Sequence, residues 1–375
     1  MQNSIKILLL TGSLFKGGAE KRLMSLYHNL NKIKFTNYVG IFGKINKKRI
    51  SYKLRKNFYY LGKRGFFPIL SFTRMLSLIH SIKPIIIFSN LRRINVLSAL
   101  TGIFPLRLST VIVVGVSNNP KYHPNSLFTR LIYAHTNRLI ANSYGTKNYL
   151  CNEWGLDNKK IHVIYNGVNS SEIKLLAKDA SVFDWYKDSL PIIVTIGRLS
   201  SQKNHACLIK AFSIVRKHNE SRLVIVGEGP LRMNLERMAR NAGVAEHIRF
   251  AGYQANPYKF LARSSLFILS SRWEGFPNVL LEAMVCGIPV VSTDIDFGPR
   301  EIINHGKTGF LVKNDDSEAL ADEILYILEN RSKSTIIEII NNARKKVEEE
   351  FSSDLMIKKY QEYFIDVYNS YSNKV

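Results

Sequence analysis

Short runs of apolar, β-branched residues recur along the chain, each followed by small polar residues and then by a segment with helical spacing. Runs without apolar–polar alternation are typical of strands buried on both faces, which favours parallel sheets with helices on each side. In the first half, strands are predicted at Ile5–Leu10, Tyr38–Phe42, Ile85–Phe88, Val111–Val116, Arg138–Ala141 and His162–Tyr165. In the second half, they are predicted at Ile192–Ile196, Arg222–Val226, Ile248–Phe250, Leu266–Leu269, Val290–Ser292 and Gly309–Val312. The pattern therefore predicts an α/β protein with two successive Rossmann-like, doubly wound domains.

A polar interval separates the two series of strands. It spans about Ala177–Leu190, contains three aspartates and ends at Pro191. We therefore expect a first domain at residues 1–178, a linker at 179–190 and a second domain at 191–352. The remaining residues, 353–375, carry Tyr360, Phe364 and Val367 at helical spacing, which predicts a helix that packs back on the body.

Composition excludes several classes of protein. The 375 residues are 46% hydrophobic, which argues against disorder, and the three cysteines form neither a CxxC nor a Cys/His cluster. The apolar run near the start is short and is split by Lys6, so it reads as a strand rather than a signal peptide. No run approaches 18 apolar residues, so we expect no membrane span. The few, unclustered cysteines favour a reducing, cytoplasmic location.

The charge is distributed unevenly. The net charge is +24, yet the first 180 residues hold 28 Lys and Arg against 5 Asp and Glu, whereas the rest hold 25 against 24. No carboxylate occurs between Glu20 and Glu153. Nine cations interleaved with aromatics in Lys44–Arg64 favour an anionic membrane surface as partner, and hence a peripheral position at the inner face of the cytoplasmic membrane. A basic nucleic-acid-binding protein is the rival interpretation, although no nucleic-acid-binding motif is present.

Ligands of open parallel sheets bind beyond the carboxyl ends of the strands. After the first strand, Gly17 and Gly18 precede a predicted helix, where backbone N–H groups suit a phosphate; a plain tight turn explains them equally well. This loop matches neither GxGxxG nor a P-loop. After the strand Ile192–Ile196, Arg198 and Lys203 are spaced to converge on one anion such as a diphosphate, although such a pair taken alone is more often two solvated surface cations.

The loop after Leu266–Leu269 is the richest in candidate chemistry. A helix is predicted from about Asn278, with Asn278 as its N-cap and with free N–H groups on Val279 and Leu280. Glu274 lies in the loop and Glu282 one turn into the helix. An unpaired buried carboxylate is costly, so this pair favours hydrogen bonding to the vicinal hydroxyls of a sugar or a ribose. The alternative for Glu282 is a purely structural carboxylate near the helix start, favoured by the helix dipole.

These motifs carry a family resemblance. The segment Glu-Gly-Phe-Pro-Asn-Val-Leu-Leu-Glu-Ala-Met (274–284), followed by Cys-Gly-Ile-Pro-Val-Val-Ser (286–292) and Gly-Pro-Arg-Glu-Ile (298–302), resembles the family-4 retaining glycosyltransferases of GT-B fold. Shorter matches follow in family order: Gly17–Glu20, Asn166–Val168, Gly197–Leu199 with Lys203, and Gly227–Leu231. The resemblance implies two domains facing a cleft and transfer of a hexose or N-acetylhexosamine, from a nucleotide sugar that we expect to be UDP-linked. The expected acceptor is a glycan or lipid-linked oligosaccharide in surface polysaccharide synthesis, such as O-antigen or capsule.

The resemblance also implies roles for individual residues. Arg198 and Lys203 would neutralise the diphosphate, Glu282 would bind the ribose, and Glu274 would contact the donor sugar as the catalytic residue. The backbone of Gly275, Phe276, Pro277, Asn278, Val279 and Leu280 would hold sugar and phosphate, and Gly17 and Gly18 would close the cleft. Neither metal nor cofactor is expected, although Asp294-Ile295-Asp296 spells a DxD motif.

One position departs from the family pattern. Many members carry a histidine in the first domain after the fourth strand, where this chain leaves Asn118, Asn119 and His123 as alternatives, so no catalytic base is assigned. A nucleotide-sugar epimerase of the same fold stays open, whereas a glycan phosphorylase would require a cofactor lysine site that is not recognisable. The sequence contains nothing that defines an oligomeric state.

Overall fold

A computed structural model describes residues 4–14, 17–43, 57–62, 68–102, 110–117, 119–122 and 127–373. Contacts divide the chain into two compact units. The first contains residues 1–166 and 354–375, and the second contains residues 167–353. This division differs from the predicted domain boundary at residue 178.

The first unit contains a seven-stranded sheet in the order β3-β2-β1-β4-β5-β6-β7, and every pair of neighbours is parallel. Its strands are β1 (Ile5–Thr11), β2 (Phe35–Ile41), β3 (Phe58–Tyr60), β4 (Ile86–Ser89), β5 (Val111–Val116), β6 (Arg138–Ala141) and β7 (Ile161–Val163). The predicted strands of this half are therefore present. The additional strand β3 lies at the sheet edge, where it is half-buried and lacks the long apolar run that marks the others.

Helices cover both faces of this sheet. They are α1 (Gly18–Asn29), α2 (Pro68–Ile82), α3 (Arg92–Leu100), α4 (Leu127–His135), α5 (Tyr144–Asn152) and α14 (Ser353–Ser372). Alternate residues of β1 point to opposite faces: Ile7 and Leu9 pack with α1 and α14, whereas Leu8 and Leu10 pack with α2 and α3. Burial on both faces explains the unbroken apolar run Ile7–Leu10 within this strand.

The last helix belongs to the first unit although it follows the second along the chain. Tyr360, Phe364 and Val367 of α14 are buried against Phe88 of β4 and Leu26 of α1. Their i, i+4 and i+7 spacing forms one apolar stripe. The helix predicted at the end of the chain is therefore present.

The second unit contains a six-stranded parallel sheet in the order β10-β9-β8-β11-β12-β13. Its strands are β8 (Ile192–Ile196), β9 (Arg222–Val226), β10 (Ile248–Gly252), β11 (Leu266–Leu269), β12 (Val290–Asp294) and β13 (Phe310–Lys313). Its helices are α6 (Ser170–Leu176), α7 (His205–Val215), α8 (Arg232–Asn241), α9 (Tyr258–Leu261), α10 (Asn278–Cys286), α11 (Pro299–Ile302), α12 (Ser317–Asn330) and α13 (Ser334–Glu350). One apolar cluster joins β8, β9, β11 and β12 to α7, α8 and α12.

The segment predicted as a linker packs onto the second unit. Phe183 and Tyr186 contact the ring of Phe260, and Asp188 forms an ion pair of 2.6 Å with Arg222 of β9. The preceding helix α6 packs on α9 and α10. These contacts explain why the division falls at residue 166, because apolar side chains within the polar interval add it to the second core.

No helix among residues 4–14, 17–43, 57–62, 68–102, 110–117, 119–122 and 127–373 combines the length and apolarity needed to cross a membrane.

Candidate active site

The central strands of the second unit bring two predicted loops together. Strands β8 and β11 are neighbours, and the strand order reverses between them, since β9 and β10 lie on one side and β12 and β13 on the other. In a doubly wound sheet, ligands bind at such a reversal, beyond the carboxyl ends of the strands. The loop after β8 carries Arg198 and Lys203, and the loop after β11 carries Glu274.

A buried ion pair joins these two loops. Nζ of Lys203 lies 2.5 Å from Oε1 of Glu274. The same carboxylate oxygen accepts a hydrogen bond of 2.7 Å from the Ser271 hydroxyl. Gln202 donates to the Trp273 carbonyl at 2.9 Å and lies 3.5 Å from Oε2 of Glu274. Two residues that the sequence predicts to act on the same donor molecule are thus in direct contact.

Hydrogen bonds to backbone carbonyls also join the same two loops. The Arg272 N–H donates to the Gln202 carbonyl at 2.8 Å, and the Ser270 hydroxyl donates to the Lys203 carbonyl at 3.0 Å. These bonds satisfy polar groups that lie largely out of solvent. The position of the lysine ammonium is consequently defined by both its backbone and its carboxylate partner.

Two glycines allow the lysine to lie close to the sheet. A Cβ at Gly197 would lie 3.3 Å from three methylene carbons of Lys203, so the lysine stem rests on this backbone. Gly227 has φ +143°, and a Cβ there would lie 1.9 Å from the Gly197 carbonyl oxygen. Only glycine fits this close approach, which seats the loop after β9 under the loop after β8.

Arg198 differs from Lys203 in its surroundings. Its side chain is exposed, whereas its neighbour Leu199 is fully buried. The structure therefore places both predicted cations in one loop but pairs only Lys203 with a carboxylate among the described residues. The convergence of the two cations on an anion stays a prediction.

Glu282 lies on α10 and contacts a different element. Oε1 of Glu282 lies 3.4 Å from the hydroxyl of Tyr258, on α9. Burial, with the nearby Glu282 charge second, raises the pKa of Tyr258 well above its ordinary value, so this hydroxyl keeps its proton and donates to the carboxylate. Tyr258 was missed by the sequence interpretation, because its partner is 24 residues further along the chain.

The start of α10 differs from the prediction in two respects. Pro277 occupies the N-cap and Asn278 is the first helical residue, so the prediction of Asn278 as N-cap is wrong. The Leu280 N–H, expected to be free, donates to the Pro277 carbonyl at 3.1 Å. The Leu280 side chain is fully buried, and Val279 is half-buried.

The loop before α10 is buried and closely packed. Gly275, Phe276 and Pro277 are buried, and the Phe276 ring lies 5.6 Å from that of Phe351. Gly298 has φ +86°, and a Cβ there would lie 2.6 Å from Cδ of Pro277. The backbone of this loop is therefore fixed by packing.

The predicted glycines of the first unit lie at the start of α1. Gly17 is the N-cap with an extended backbone, and Gly18 is the exposed first residue of the helix. A Cβ at Gly17 would lie 2.7 Å from the Glu20 carboxylate, which also accepts a hydrogen bond of 3.1 Å from Ser13. This carboxylate interacts favourably with the helix dipole.

A buried arginine of the first unit was not predicted. Arg22 on α1 donates at 2.7 Å to Oδ1 of Asn166, and its Nη2 donates to the Ser117 hydroxyl. The sequence feature that could have identified Arg22 is its position one turn before Leu26, on the buried face of the predicted helix. Arg22 thus ties the end of β5 to the segment after β7.

The loop after β5 holds the alternatives for the family histidine. Asn119 is buried, and its side chain accepts the Lys121 N–H at 2.9 Å. Asn118 and His123 lie outside the described residues, as does most of the predicted basic segment Lys44–Arg64. The replacement of the family histidine and the function of the basic segment therefore stay predictions.

Comparison with solved structures defines the class of fold. A glycosyltransferase from Rickettsia africae superposes with a TM-score of 0.81 at 21% identity, covering 97% of this chain and 99% of the other. HepE from Anabaena in complex with UDP-glucose superposes with a TM-score of 0.81 at 22% identity, covering 96% of this chain and all of the other. The fold is that of the GT-B glycosyltransferases.

Sequence comparison identifies the family. The family model for glycosyltransferase family 4 matches residues 16–172, and the model for glycosyl transferases group 1 matches residues 161–346. A relative from Campylobacter jejuni is 29% identical over 336 residues, covering 85% of this chain and 88% of the relative. It is named N-acetylgalactosamine-N,N'-diacetylbacillosaminyl-diphospho-undecaprenol 4-alpha-N-acetylgalactosaminyltransferase. The chain belongs to the family-4 glycosyltransferases and is an enzyme that transfers a sugar.

Proposed function

We propose that the protein is a retaining, metal-independent glycosyltransferase that moves a hexose or N-acetylhexosamine from a UDP-sugar to a glycan or lipid-linked oligosaccharide. The observation that carries this proposal is the buried pair of Lys203 and Glu274 at the strand reversal of the second sheet. It sets a cation and a carboxylate side by side where a doubly wound sheet binds its ligand. The UDP-glucose bound by the similar HepE supports the choice of donor.

The donor is held by complementary groups of the second unit. Lys203, positioned by Glu274, and Arg198 offset the charge of the diphosphate, since a fork and a point charge together suit two adjacent phosphates. Glu282, which accepts a hydrogen bond from Tyr258, also accepts from the ribose hydroxyls. Glu274 contacts the sugar, so its carboxylate orients both the lysine and the reacting group.

The transfer proceeds by a front-face substitution. The acceptor hydroxyl oxygen forms a bond to the anomeric carbon while the bond from that carbon to the diphosphate oxygen breaks. The hydroxyl proton passes to the departing phosphate oxygen, giving the glycoside and UDP. Lys203 and Arg198 stabilise the negative charge that develops on the diphosphate, which lowers the barrier without a separate protein base.

The DxD-like segment has a structural partner. Arg300 donates to both oxygens of Asp294, with Nε–Oδ1 and Nη2–Oδ2 distances of 2.5 and 3.1 Å. A bidentate arginine occupies the lone pairs that a divalent cation would use. This arrangement supports a donor site in which cationic side chains neutralise the diphosphate.

The acceptor is proposed from the first unit and from the relatives. The Campylobacter protein is named for a diphospho-undecaprenol acceptor, a lipid-linked oligosaccharide. An anionic lipid surface suits a first half that carries 28 Lys and Arg against 5 Asp and Glu. We accordingly place the protein at the inner face of the cytoplasmic membrane, in the synthesis of a surface polysaccharide.

The test is a donor panel with a lipid acceptor. The purified protein is incubated with UDP-glucose, UDP-galactose, their N-acetyl forms and GDP-mannose, each with a bacterial membrane-lipid extract, and nucleotide release is measured with and without EDTA. One UDP-sugar should be consumed, the chelator should have no effect, and NMR should show the donor's anomeric configuration in the product. A new nucleotide sugar formed without acceptor would instead indicate an epimerase.

Substitutions test whether the activity depends on the candidate donor site. Lys203→Met should reduce turnover by at least about a hundredfold, the size of effect that loss of one transition-state contact produces. Glu282→Ala removes a ribose contact that is made before and during the reaction, so it should chiefly raise the KM for the donor, by about tenfold or more. Glu349→Gln alters an exposed carboxylate of α13 and should retain full activity. Lack of activity with every donor, or a Glu282→Ala variant with unchanged turnover and donor KM, would overturn the proposal.

A further inference from the structure

Two helices of the first unit expose large apolar side chains in their first turns. Exposed fractions are 78% for Ile69 and 54% for Leu70 on α2, and 70% for Leu127, 55% for Phe128 and 50% for Leu131 on α4. The later turns of both helices are buried normally, as Met75 and Ile132 show. We call these five residues the apolar rim. Clustered exposed apolar side chains of this kind mark interaction surfaces.

The apolar rim lies along one edge of the unit. In a parallel sheet, each crossover helix begins at the carboxyl edge of the strands, and α2, α3 and α4 follow β3, β4 and β5. All three helices cover the same face, because Ile94 of α3 packs with α2 and Ala99 of α3 packs with α4. Packed helix axes are 8–10 Å apart, so the first turns of α2 and α4 are about 20 Å apart with α3 between them.

Cations lie between and beside the apolar residues. Arg92 and Arg93 in the first turn of α3 are exposed. No carboxylate occurs from Lys21 to Asn152, the segment that supplies all of α2, α3 and α4. The nearest acids along the chain lie elsewhere in the unit. Glu20 lies on α1, which covers the opposite face of the sheet, and Glu153 follows the carboxyl end of α5.

We propose that the first turns of α2, α3 and α4 form a docking surface for an anionic phospholipid membrane. The apolar rim enters the boundary between head groups and acyl chains, and Arg92 and Arg93 contact the lipid phosphates. Four of the five rim side chains are aliphatic and offer nucleic acid neither stacking nor hydrogen bonding, and Phe128 is the single aromatic among them, so the rim favours lipid over the nucleic-acid alternative. None of the residues named in this surface belongs to the basic segment Lys44–Arg64.

The location has a consequence for the acceptor and, in this respect, rests on the proposed function. The loop after β5, with Ser117 and Asn119, leaves the same carboxyl edge of the sheet. Docking along this edge places the membrane surface beside that loop. The diphosphate of a lipid-linked acceptor therefore reaches the first unit without leaving the head-group region.

The test measures binding to vesicles. Co-sedimentation is recorded with phosphatidylcholine vesicles and with vesicles that also contain phosphatidylglycerol, at low and high salt. Arg92→Gln with Arg93→Gln should weaken binding to the anionic vesicles by about thirtyfold, since two cations leave the surface. Leu127→Ser with Phe128→Ser should weaken it by about tenfold or more, because apolar area no longer leaves water. Circular dichroism should show unchanged melting of both variants.

A matched control lies at the other edge of the sheet. Ile33, 87% exposed in the loop between α1 and β2, is as apolar as the rim, so Ile33→Ser should bind like the wild type. Equal losses in Ile33→Ser and the rim variant would overturn the proposal, as would equal binding of the wild type to both kinds of vesicle. Binding of duplex DNA that competes with vesicles and is insensitive to the rim substitutions would overturn it in favour of nucleic acid.

A second readout separates this proposal from the enzymatic one. Hydrolysis of the UDP-sugar in the absence of vesicles requires the donor site but no membrane, so the docking variants should retain it. A wild type that binds vesicles through the rim but uses no donor would refute the proposed function alone. A wild type that uses a donor but shows no preference for anionic vesicles would refute the docking surface alone.

Discussion

The pair of Lys203 and Glu274 offers a direct test of how the second unit holds its candidate site. The two charged atoms are 2.5 Å apart, and the side chains are only 18% and 9% exposed. At an effective dielectric constant of about 20, unit charges at this distance attract by about 7 kcal/mol, and desolvation offsets much of this. Removing one partner leaves the other buried and unpaired, which costs about 3–5 kcal/mol.

The assay is a double-mutant cycle. Urea unfolding of the wild type, Lys203→Met, Glu274→Gln and the double variant gives four free energies of unfolding. Each single change should cost about 3–5 kcal/mol, and the double should cost less than their sum by about 2 kcal/mol, because no unpaired charge remains. A control cycle uses Lys345→Met and Glu349→Gln, whose parent pair is 3.9 Å apart with side chains 72% and 62% exposed. Its coupling should stay below about 0.5 kcal/mol. Equal coupling energies in the two cycles would refute the reasoning.

Two further predictions concern the same unit. Burial, followed by the charge of Lys203, lowers the pKa of His205 from 6.5 to about 4. Below pH 6.5 the unfolded chain therefore binds a proton that the folded chain excludes. Between about pH 7 and 4.5, the free energy of unfolding of His205→Gln should accordingly fall by about 2 kcal/mol less than that of the wild type. Identical pH dependence in urea unfolding would contradict this. Gly227→Ala should destabilise by at least about 2 kcal/mol more than Gly243→Ala, because both glycines have positive φ but only Gly227 meets backbone at 1.9 Å. Equal melting temperatures of the two variants would show that the close approach relaxes freely.

Much of the fold follows from apolar runs alone. The predicted bounds of β8, β9 and β11 agree with the structure, because these strands are buried on both faces and are each followed directly by a small residue, Gly197, Gly227 and Ser270. The edge strand β3 has three half-buried or exposed residues and therefore no distinguishing pattern. Strand β2 begins at Phe35, three residues before its predicted start, since Thr36 and Asn37 interrupt the apolar pattern while still pairing with β1.

The residues of the candidate site could be predicted from the sequence, but the contacts between them could not. Lys203 and Glu274 are both recognisable from their loops, yet their contact depends on β8 and β11 being neighbours, which strand patterns do not determine. Arg22 was missed because composition treats an arginine as a surface residue, whereas this one is buried between Ser117 and Asn166. Pairings across 71 and 144 residues belong to the tertiary fold.

The return of α14 to the first unit sets the order in which the two units can be completed during synthesis. Residues 167–353 form one continuous stretch, so the second unit has its entire sequence before the ribosome reaches α14. The first unit, although most of it precedes the second along the chain, lacks the fully buried Tyr360 and Phe364 until α14 is synthesised. Domains generally fold in the order in which they are made. In this chain, the unit that is started first is finished last. A chain truncated before residue 354 contains every residue of the second core but lacks the α14 residues of the first core.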